Sequence, residues 1–446
     1  MEICAVGGYD SVGKNMTAVK VGDDVFIFDM GVSIPALIDL QNDNIKVYSE
    51  KHLRKAGAVP DDRILDKLGW AGKVRAIILG HAHLDHIGAV PWIAYRYPKA
   101  KILGTHFTIA VLETLLKDAK KHLRNQIIKI HGNSSVKIKG KSGTYNLDFL
   151  HVTHSTIQCT NIAFHTKEGV FFYSVDFKFD DTPVISNPPD YNRFKQVGKK
   201  GVKVLVLNSL YSKQKGRSLS EMTARKKVEE AINKVKNDDT ALFVSTFSSH
   251  IERLKSIVDF GKKTNRKIIF LGRSMHKYVD SAIKANNCPF KKDISLAKYR
   301  NEVNSVLKEV EENREKYLIV CTGHQAEENS ILDRIIKGQT PFKFMPKDNI
   351  IFASKVIPVP QNILAREKMD AQLEKIGVKI QKDIHVSGHD CEEDIKMVLD
   401  FLKPEHIVPT HGTPEQEFPV IRIAQGIGYE YGKNVYLTKD GKVLKF

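Results

Sequence analysis

His81-Ala82-His83-Leu84-Asp85-His86 decides how this chain reads, because four metal-competent side chains fall within six residues. The stretch before it, Val74-Arg75-Ala76-Ile77-Ile78-Leu79-Gly80, reads as a buried strand that runs out at a glycine. The stretch after it, Ile87-Gly88-Ala89-Val90-Pro91-Trp92, begins a helix that closes over the same spot. A loop at a strand end can aim alternate side chains at one point. His81 and His83 can therefore hold one metal, while Asp85 and His86, on the opposite edge of the turn, can hold a second beside it. Imidazole with carboxylate suits zinc, manganese or iron better than calcium or magnesium. The competing reading is a solvated histidine-rich turn, which gives no reason for the flanking strand.

Further ligands must come from elsewhere, and three short apolar runs end in suitable residues. His154 closes Leu147–Thr153, Asp176 closes Gly169–Val175, and His411 closes His406–Thr410. A carboxylate can bridge two cations, and Asp176 is the natural bridge. Upstream, Asp29 ends the strand-like run Asp24–Phe28, where it can orient the His81 loop from behind the ligands.

The order Asp29, His81-x-His83-x-Asp85-His86, His154, Asp176 resembles the metallo-β-lactamase superfamily, and the late His411 resembles its RNA-processing β-CASP branch. Three more phrases are similar to the ribonuclease J family. They are Gly272-Arg273-Ser274-Met275, Cys321-Thr322-Gly323-His324-Gln325, and His385-Val386-Ser387-Gly388-His389 with His411-Gly412 twenty-two residues on. The opening Gly7–Met16 and Asp176-Phe177-Lys178-Phe179-Asp180 are similar too, so the likeness covers nearly the whole chain. The resemblance implies an α/β (α+β sandwich) class, namely a metallo-β-lactamase αββα fold with an inserted, doubly wound β-CASP domain. The boundaries expected are 1–205, 206–356 for the insertion, and 357–446 for the returning first domain. The insertion is also legible from strand–helix alternation. Ala241–Phe247 leads into a helix over 248–262, Lys267–Gly272 into Met275–Ala285, and Tyr317–Cys321 into Gln325–Ile336. The end at Phe446 implies the shorter, archaeal type.

Two departures stand out. Family members usually carry an acid where Val204-Leu205-Val206-Leu207-Asn208 ends in an amide, and that acid is expected to support His389. An amide can hydrogen-bond an imidazole but cannot stabilise its protonated form as a carboxylate does. The phrase Thr-Gly-Ser-Gln-Gly-Glu appears here as Thr322-Gly323-His324-Gln325-Ala326-Glu327.

The resemblance implies two divalent ions, zinc with manganese as the alternative. His81, His83 and His154 would hold one, Asp85, His86 and His411 the other, with Asp176 bridging. Asp85, Asp176 and His389 are the expected catalytic residues, and Asp29 and Asn208 support them. Paired cations bring the pKa of water from 15.7 to about 7, which suits phosphodiester hydrolysis at neutral pH. His385, Val386, Ser387, Gly388 and His389 are expected to border substrate. So are Phe247, Ser248 and Ser249 at one strand-to-helix junction, and Arg273 and Ser274 at the next, where free N–H groups and hydroxyls bind phosphate. Phe247 is equally readable as a core aromatic, and Arg253 as a packing residue. His151, inside an apolar run, reads as a satisfied buried histidine.

Gly8-Tyr9-Asp10-Ser11-Val12-Gly13-Lys14-Asn15 imitates a phosphate loop until its last position, where a hydroxyl should ligate magnesium. Thr17–Val21 then alternates like a strand, so a hairpin turn is the better reading.

Composition narrows the partner. The 446 residues carry a net charge of +17, which favours a polyanion; a lysine-rich thermophilic composition is the alternative. Together with the metal loop the charge points to nucleic acid, and the resemblance implies single-stranded RNA. The five cysteines are scattered without a Cys-x-x-Cys, which fits a reducing, cytoplasmic setting. No run of about eighteen apolar residues occurs, so no membrane partner is expected, while a homodimer is compatible with the chain. The resemblance implies a 5′-to-3′ exoribonuclease acting on 5′-monophosphorylated RNA. An endoribonuclease of messenger 3′-end processing would use the same ligands. A small-molecule hydrolase would need neither the insertion nor the charge, and an inactive RNA-binding scaffold would have lost ligands.

Overall fold

The computed structural model describes residues 1–42, 49–174, 176–235, 239–357 and 360–446. It divides into two compact units. The first comprises Met1–Asp181, Pro188–Ser218 and Gly388–Phe446; the second comprises Thr182–Asn187 and Leu219–Ser387.

In the first unit two sheets lie face to face. One runs in the order Lys442–Lys445, Glu2–Gly7, Met16–Val21, Asp24–Phe28, Val74–Ile78, Lys101–Thr105, Ile127–Ile130. The other runs His406–Thr410, Val202–Asn208, Gly169–Ser174, Cys159–Thr166, Thr144–Val152, Ser134–Lys139. Alternate residues from both meet in one core: Val19, Phe26, Phe28 and Ile78 from the first, Phe149, Phe164, Phe171, Tyr173 and Val206 from the second. Each fully buried phenylalanine contributes about 1.5–3 kcal/mol through the water it sheds. The outer face of the second sheet is covered by the helices Tyr191–Lys199, Glu392–Leu402 and Pro414–Gln425. The helix His106–Asp118 packs on the first sheet beside Lys101–Thr105. Helices outside two packed sheets make the αββα sandwich that the sequence implied.

The hairpin reading of Gly8–Lys14 holds, since Glu2–Gly7 and Met16–Val21 pair antiparallel around it. Five of the strands that reach the site are parallel to a neighbour: Asp24–Phe28 with Val74–Ile78, Gly169–Ser174 with Val202–Asn208, and the latter with His406–Thr410; Thr144–Val152, which leads to His154, is antiparallel to both of its neighbours. The C-terminal ends of the parallel strands therefore open on one edge of the sandwich, where parallel sheets present ligands.

The second unit holds one sheet of six parallel strands in the order Ser295–Ala297, Lys267–Leu271, Tyr317–Cys321, Leu242–Ser245, Asn349–Phe352, Lys379–Gln381. Its core includes Phe243, Leu271, Ile319, Leu332 and Phe352. Three expectations shift. The insertion begins at Leu219 and ends at Ser387 rather than at 206 and 356, because Lys379–Gln381 pairs with Asn349–Phe352 and extends the inserted sheet. The helix expected from Gln325 begins only at Ile331, capped by Ser330. The intervening loop carries Ala326 and Asn329 in the left-handed region, which interrupts a helix. The helix expected over 248–262 spans Ile251–Gly261.

Candidate metal centre

The His81 loop follows the strand Val74–Ile78, and the chain turns at once into the single helical turn Leu84–Ile87. The tight turn brings His81 and His86 ring to ring at 4.0 Å. Asp29, Asp176 and His411 each leave their strands with positive φ, at 58°, 51° and 60°. Non-glycine residues rarely adopt that conformation, and it turns each side chain abruptly into the same spot.

Two groups of donors result. His81, His83, His154 and Asp176 have ligand atoms within 4.8 Å of one another, and so do Asp85, His86, Asp176 and His411. Asp176 belongs to both. In the first group His83 Nδ1 lies 3.2 Å from His81 Nε2 and 3.0 Å from His154 Nε2, and Asp176 Oδ2 lies 3.6 and 3.5 Å from the same two nitrogens. In the second, Asp176 Oδ2 lies 3.2 Å from His86 Nε2 and Asp176 Oδ1 lies 3.4 Å from His411 Nε2. Asp85 Oδ2 closes that group at 3.6 and 3.8 Å from those two rings. Tetrahedral zinc with bonds of about 2.0–2.2 Å needs ligand atoms roughly 3.3–3.6 Å apart, and the spacings, from 3.0 to 3.8 Å, straddle that range. Asp176 Oδ1 is buried without a hydrogen-bond partner, a cost that a cation would remove.

Charge follows the same division. Burial pushes His83 down to about 4, and burial with the neighbouring imidazoles holds His81 well below the ordinary range. Burial likewise depresses His154. These three rings are neutral and ready to bind. Burial opposes the charged form of His86 too, but Asp176, Asp85 and Asp29 outweigh it and raise the ring well above the ordinary value. Burial would raise Asp176, yet His411, His389 and His86 hold its carboxyl well below the usual range.

Behind the ligands stand residues that set the rings. Asp29 Oδ1 accepts from Gly80 N at 2.8 Å, and Oδ2 accepts from His86 Nδ1 at 2.6 Å and the Tyr173 hydroxyl at 3.0 Å. His154 Nδ1 donates to the Gly388 carbonyl at 2.6 Å. Gly388 was expected to border substrate; it also orients a ligand. A Cβ there would stand 2.6 Å from Ser155 N, so only glycine lets the two backbones approach. Asn15 places its amide against His411 Nδ1, with Oδ1 at 3.0 Å. Sequence reading met Asn15 only as the failed end of a phosphate loop, and Tyr173 not at all. The one signal for Asn15 was its place in the Gly7–Met16 phrase.

His389 lies beside this centre. Its ring stacks on Tyr211 and His411, at 5.3 and 6.0 Å, and its Nδ1 is 3.7 Å from Asp176 Oδ1. Burial lowers its pKa. Asn208 Nδ2 is 3.5 Å from the same Nδ1, so the departure from the family pattern falls against the ring it was expected to support.

The remaining expected residues, Phe247, Ser248, Ser249, Arg273, Ser274, His385, Val386 and Ser387, lie in the second unit. There the two strand-to-helix junctions meet, with Ser248 Oγ 2.6 Å from Ser274 Oγ. Arg273 is exposed. Phe247 is half-buried and packs edge-on against His324 at 4.2 Å. Arg253 takes the packing role: fully buried, it grips Glu221 with Nε and Nη2 and donates Nη1 to the carbonyls of Ala353 and Ile384. His151 is half-buried rather than buried, on a strand whose alternate side chains point away from the core.

Comparison with known proteins agrees with this architecture. The family model of the metallo-β-lactamase superfamily matches residues 10–182, that of the ribonuclease J β-CASP domain 239–369, and that of the Zn-dependent metallo-hydrolase RNA specificity domain 375–420. Fold and donor set thus define a metal-dependent hydrolase of the β-CASP class. Ribonuclease J of Methanocaldococcus jannaschii is 36% identical over 100% of this chain and 99% of its own. Ribonuclease J of Pyrococcus abyssi is also 36% identical, over 100% and 97%. Ribonuclease J of Helicobacter pylori strain J99 is 28% identical over 99% of this chain and 60% of its own. The chain belongs to the ribonuclease J family of metal-dependent nucleases. A solved structure of a protein of unknown function from Enterococcus faecalis V583 shares the fold, with a TM-score of 0.63, 15% identity and 99% of each chain covered.

Proposed function

We propose that this chain is a 5′-to-3′ exoribonuclease that removes nucleotides from 5′-monophosphorylated single-stranded RNA, using two divalent ions, zinc with manganese as the alternative. The observation that carries the reading is the pair of donor groups joined through Asp176. Family membership and the matched RNA specificity domain supply the substrate class, and the net charge of +17 suits a phosphate backbone.

Two bound cations supply a nucleophile at neutral pH and offset charge on the phosphate. The chain's own groups do the rest. Asp85, the most exposed of the carboxylates at 19%, orients the attacking water with one oxygen. Water adds to phosphorus as the bond to the 3′ oxygen breaks, releasing a 5′-mononucleotide and a shortened chain that keeps a 5′-phosphate. His389, stacked on Tyr211 and His411, turns its ring edge to the substrate. A neutral imidazole is a weak acid, so its N–H serves a nonbridging oxygen better than it protonates the leaving oxygen. His385, Val386, Ser387, Ser248, Ser249, Arg273 and Ser274 are assigned to the terminal phosphate and the next nucleotides, and Phe247 to a base. All five cysteines are free and buried, which suits a reducing, cytoplasmic compartment. No helix is long and apolar enough to cross a membrane among the described residues.

The test is a degradation ladder. Uniform RNA bearing a 5′-monophosphate, a 5′-triphosphate or a 5′-hydroxyl is labelled at the 3′ end and incubated with metal-loaded protein. Mononucleotide release should be fastest from the monophosphate and should slow with Ser387→Ala or Ser248→Ala without metal loss. Shortening from the 3′ end, or equal rates on all three ends, refutes the direction.

A further inference from the structure

Asn208, fully buried at the end of the strand Val202–Asn208, is held on three sides. Its Oδ1 accepts from Leu210 N at 3.1 Å, so the amide cannot turn over without losing that bond. Its Nδ2 then donates to Asp390 Oδ1, and the same nitrogen faces His389 Nδ1 at 3.5 Å, the outer limit of a hydrogen bond. Asp390 is itself buried, and its Oδ2 has no partner. Nearby, Asp394 is occupied with Ser218 N and Oγ and with Cys391 N. Asp390 therefore makes one side-chain hydrogen bond among the described residues, and makes it to the amide behind His389.

We infer that Asp390 is a positioning residue for His389. By accepting one N–H of the Asn208 amide it aims the other at His389 Nδ1, which selects the ring tautomer protonated on Nε2. An N–H pointed at Nδ1 can be received only if that nitrogen carries a lone pair. The ring proton then sits on Nε2, on the edge away from Asn208. A carboxylate at position 208 would do the opposite, drawing a proton onto Nδ1. The chain thus places its acid further out, beyond the amide, and adds no second carboxylate to the one that Asp176 brings to the ring. Burial and Asp394 raise the Asp390 carboxyl well above the usual range, which favours its neutral form. Neutrality matters here because Asp176 already brings a carboxylate to within 3.7 Å of the same ring.

The inference rests on the role proposed for His389, and the experiment separates the two. Metal-loaded full-length protein is compared with Asp390→Asn, which keeps a neutral acceptor, and with Asp390→Leu, which keeps the branched outline and removes it. Asp390→Leu should lower kcat about tenfold with KM and metal content unchanged, the scale of lost outer support to a site. Asp390→Asn should restore kcat to within about threefold of the parent, and Asn208→Ala added to Asp390→Leu should cost no more than Asp390→Leu alone. Ring 15N signals of His389 in the parent should show the proton on Nε2, which needs no variant to fold. Protonation on Nδ1 overturns the inference, as does an Asp390→Leu protein with parental kcat. Equal losses in the Asn and Leu variants overturn it too. If His389→Ala loses turnover while Asp390→Leu does not, only the positioning role falls. If His389→Ala keeps turnover, the catalytic reading of His389 falls with it.

Discussion

Asp29→Asn is the smallest change that probes the second donor group without touching a ligand. The carboxylate accepts from three donors: Gly80 N on Oδ1, and His86 Nδ1 and the Tyr173 hydroxyl on Oδ2. An asparagine keeps its single carbonyl for Gly80, because that backbone N–H cannot move. Its NH2 must then face the His86 Nδ1–H at a site where the oxygen now lies 2.6 Å away. Two donors in opposition turn the imidazole or strip it of its proton, and either weakens Nε2 as a ligand. Loss of such support costs about 10–100-fold in metal affinity, which is about 1.4–2.7 kcal/mol. The effect should be unequal. His86 serves only one group, while His81, His83 and His154 lie in the other. Competition of the loaded protein against a chelator of known affinity, with elemental analysis, should show one ion released early and one retained. Equal weakening of both ions would refute the argument that Asp29 acts through His86. So would unchanged affinity.

Asp176→Ala should lower occupancy of both ions and His411→Ala of mainly one, since only Asp176 belongs to both donor groups; elemental analysis of purified variants reads this directly. RNA binding should weaken with salt by roughly 0.7 in log K per phosphate contacted, so a flat titration would mean the positive charge serves another purpose. Glu417 is buried, and burial with Asp10 and Asp440 raises its carboxyl to about 9. A raised carboxyl pKa means the folded state holds the proton more tightly, so stability is full below about 4.5 and declines as pH climbs toward 9. Glu417→Gln removes that decline: its unfolding free energy should match the parent near pH 4.5 and exceed it increasingly toward pH 8, by at most about 3 kcal/mol at pH 7, as denaturant melts at each pH would read. A difference independent of pH would mean Glu417 is ionised in the fold.

The sequence by itself determined that there is a metal loop, because four ligands sit within six residues at a strand end, where spacing alone brings them together. Short apolar runs ending in His154, Asp176 and His411 were equally legible, since a strand end is a local pattern. The alternation of strands and helices after residue 240 announced a parallel sheet for the same reason. Pairing was not local. Asp176 could be named as the bridge from its chemistry, but its meeting with His411 follows from left-handed residues at separate strand ends, and no residue spacing encodes that convergence. Asn15 reaches His411 across 396 positions, and Asp29 reaches His86 across 57. Arg253 could be read either way until Glu221 was found beside it, because a guanidinium is buried only where a carboxylate meets it. The end of the insertion was misplaced because a strand of three residues, Lys379–Gln381, is too short to show a period and is held by its partner. Asn208 could be seen as an amide in an acid's place; only the folded chain brought Asp390 up behind it, because hydrogen-bond partners are chosen by distance in space and not along the chain.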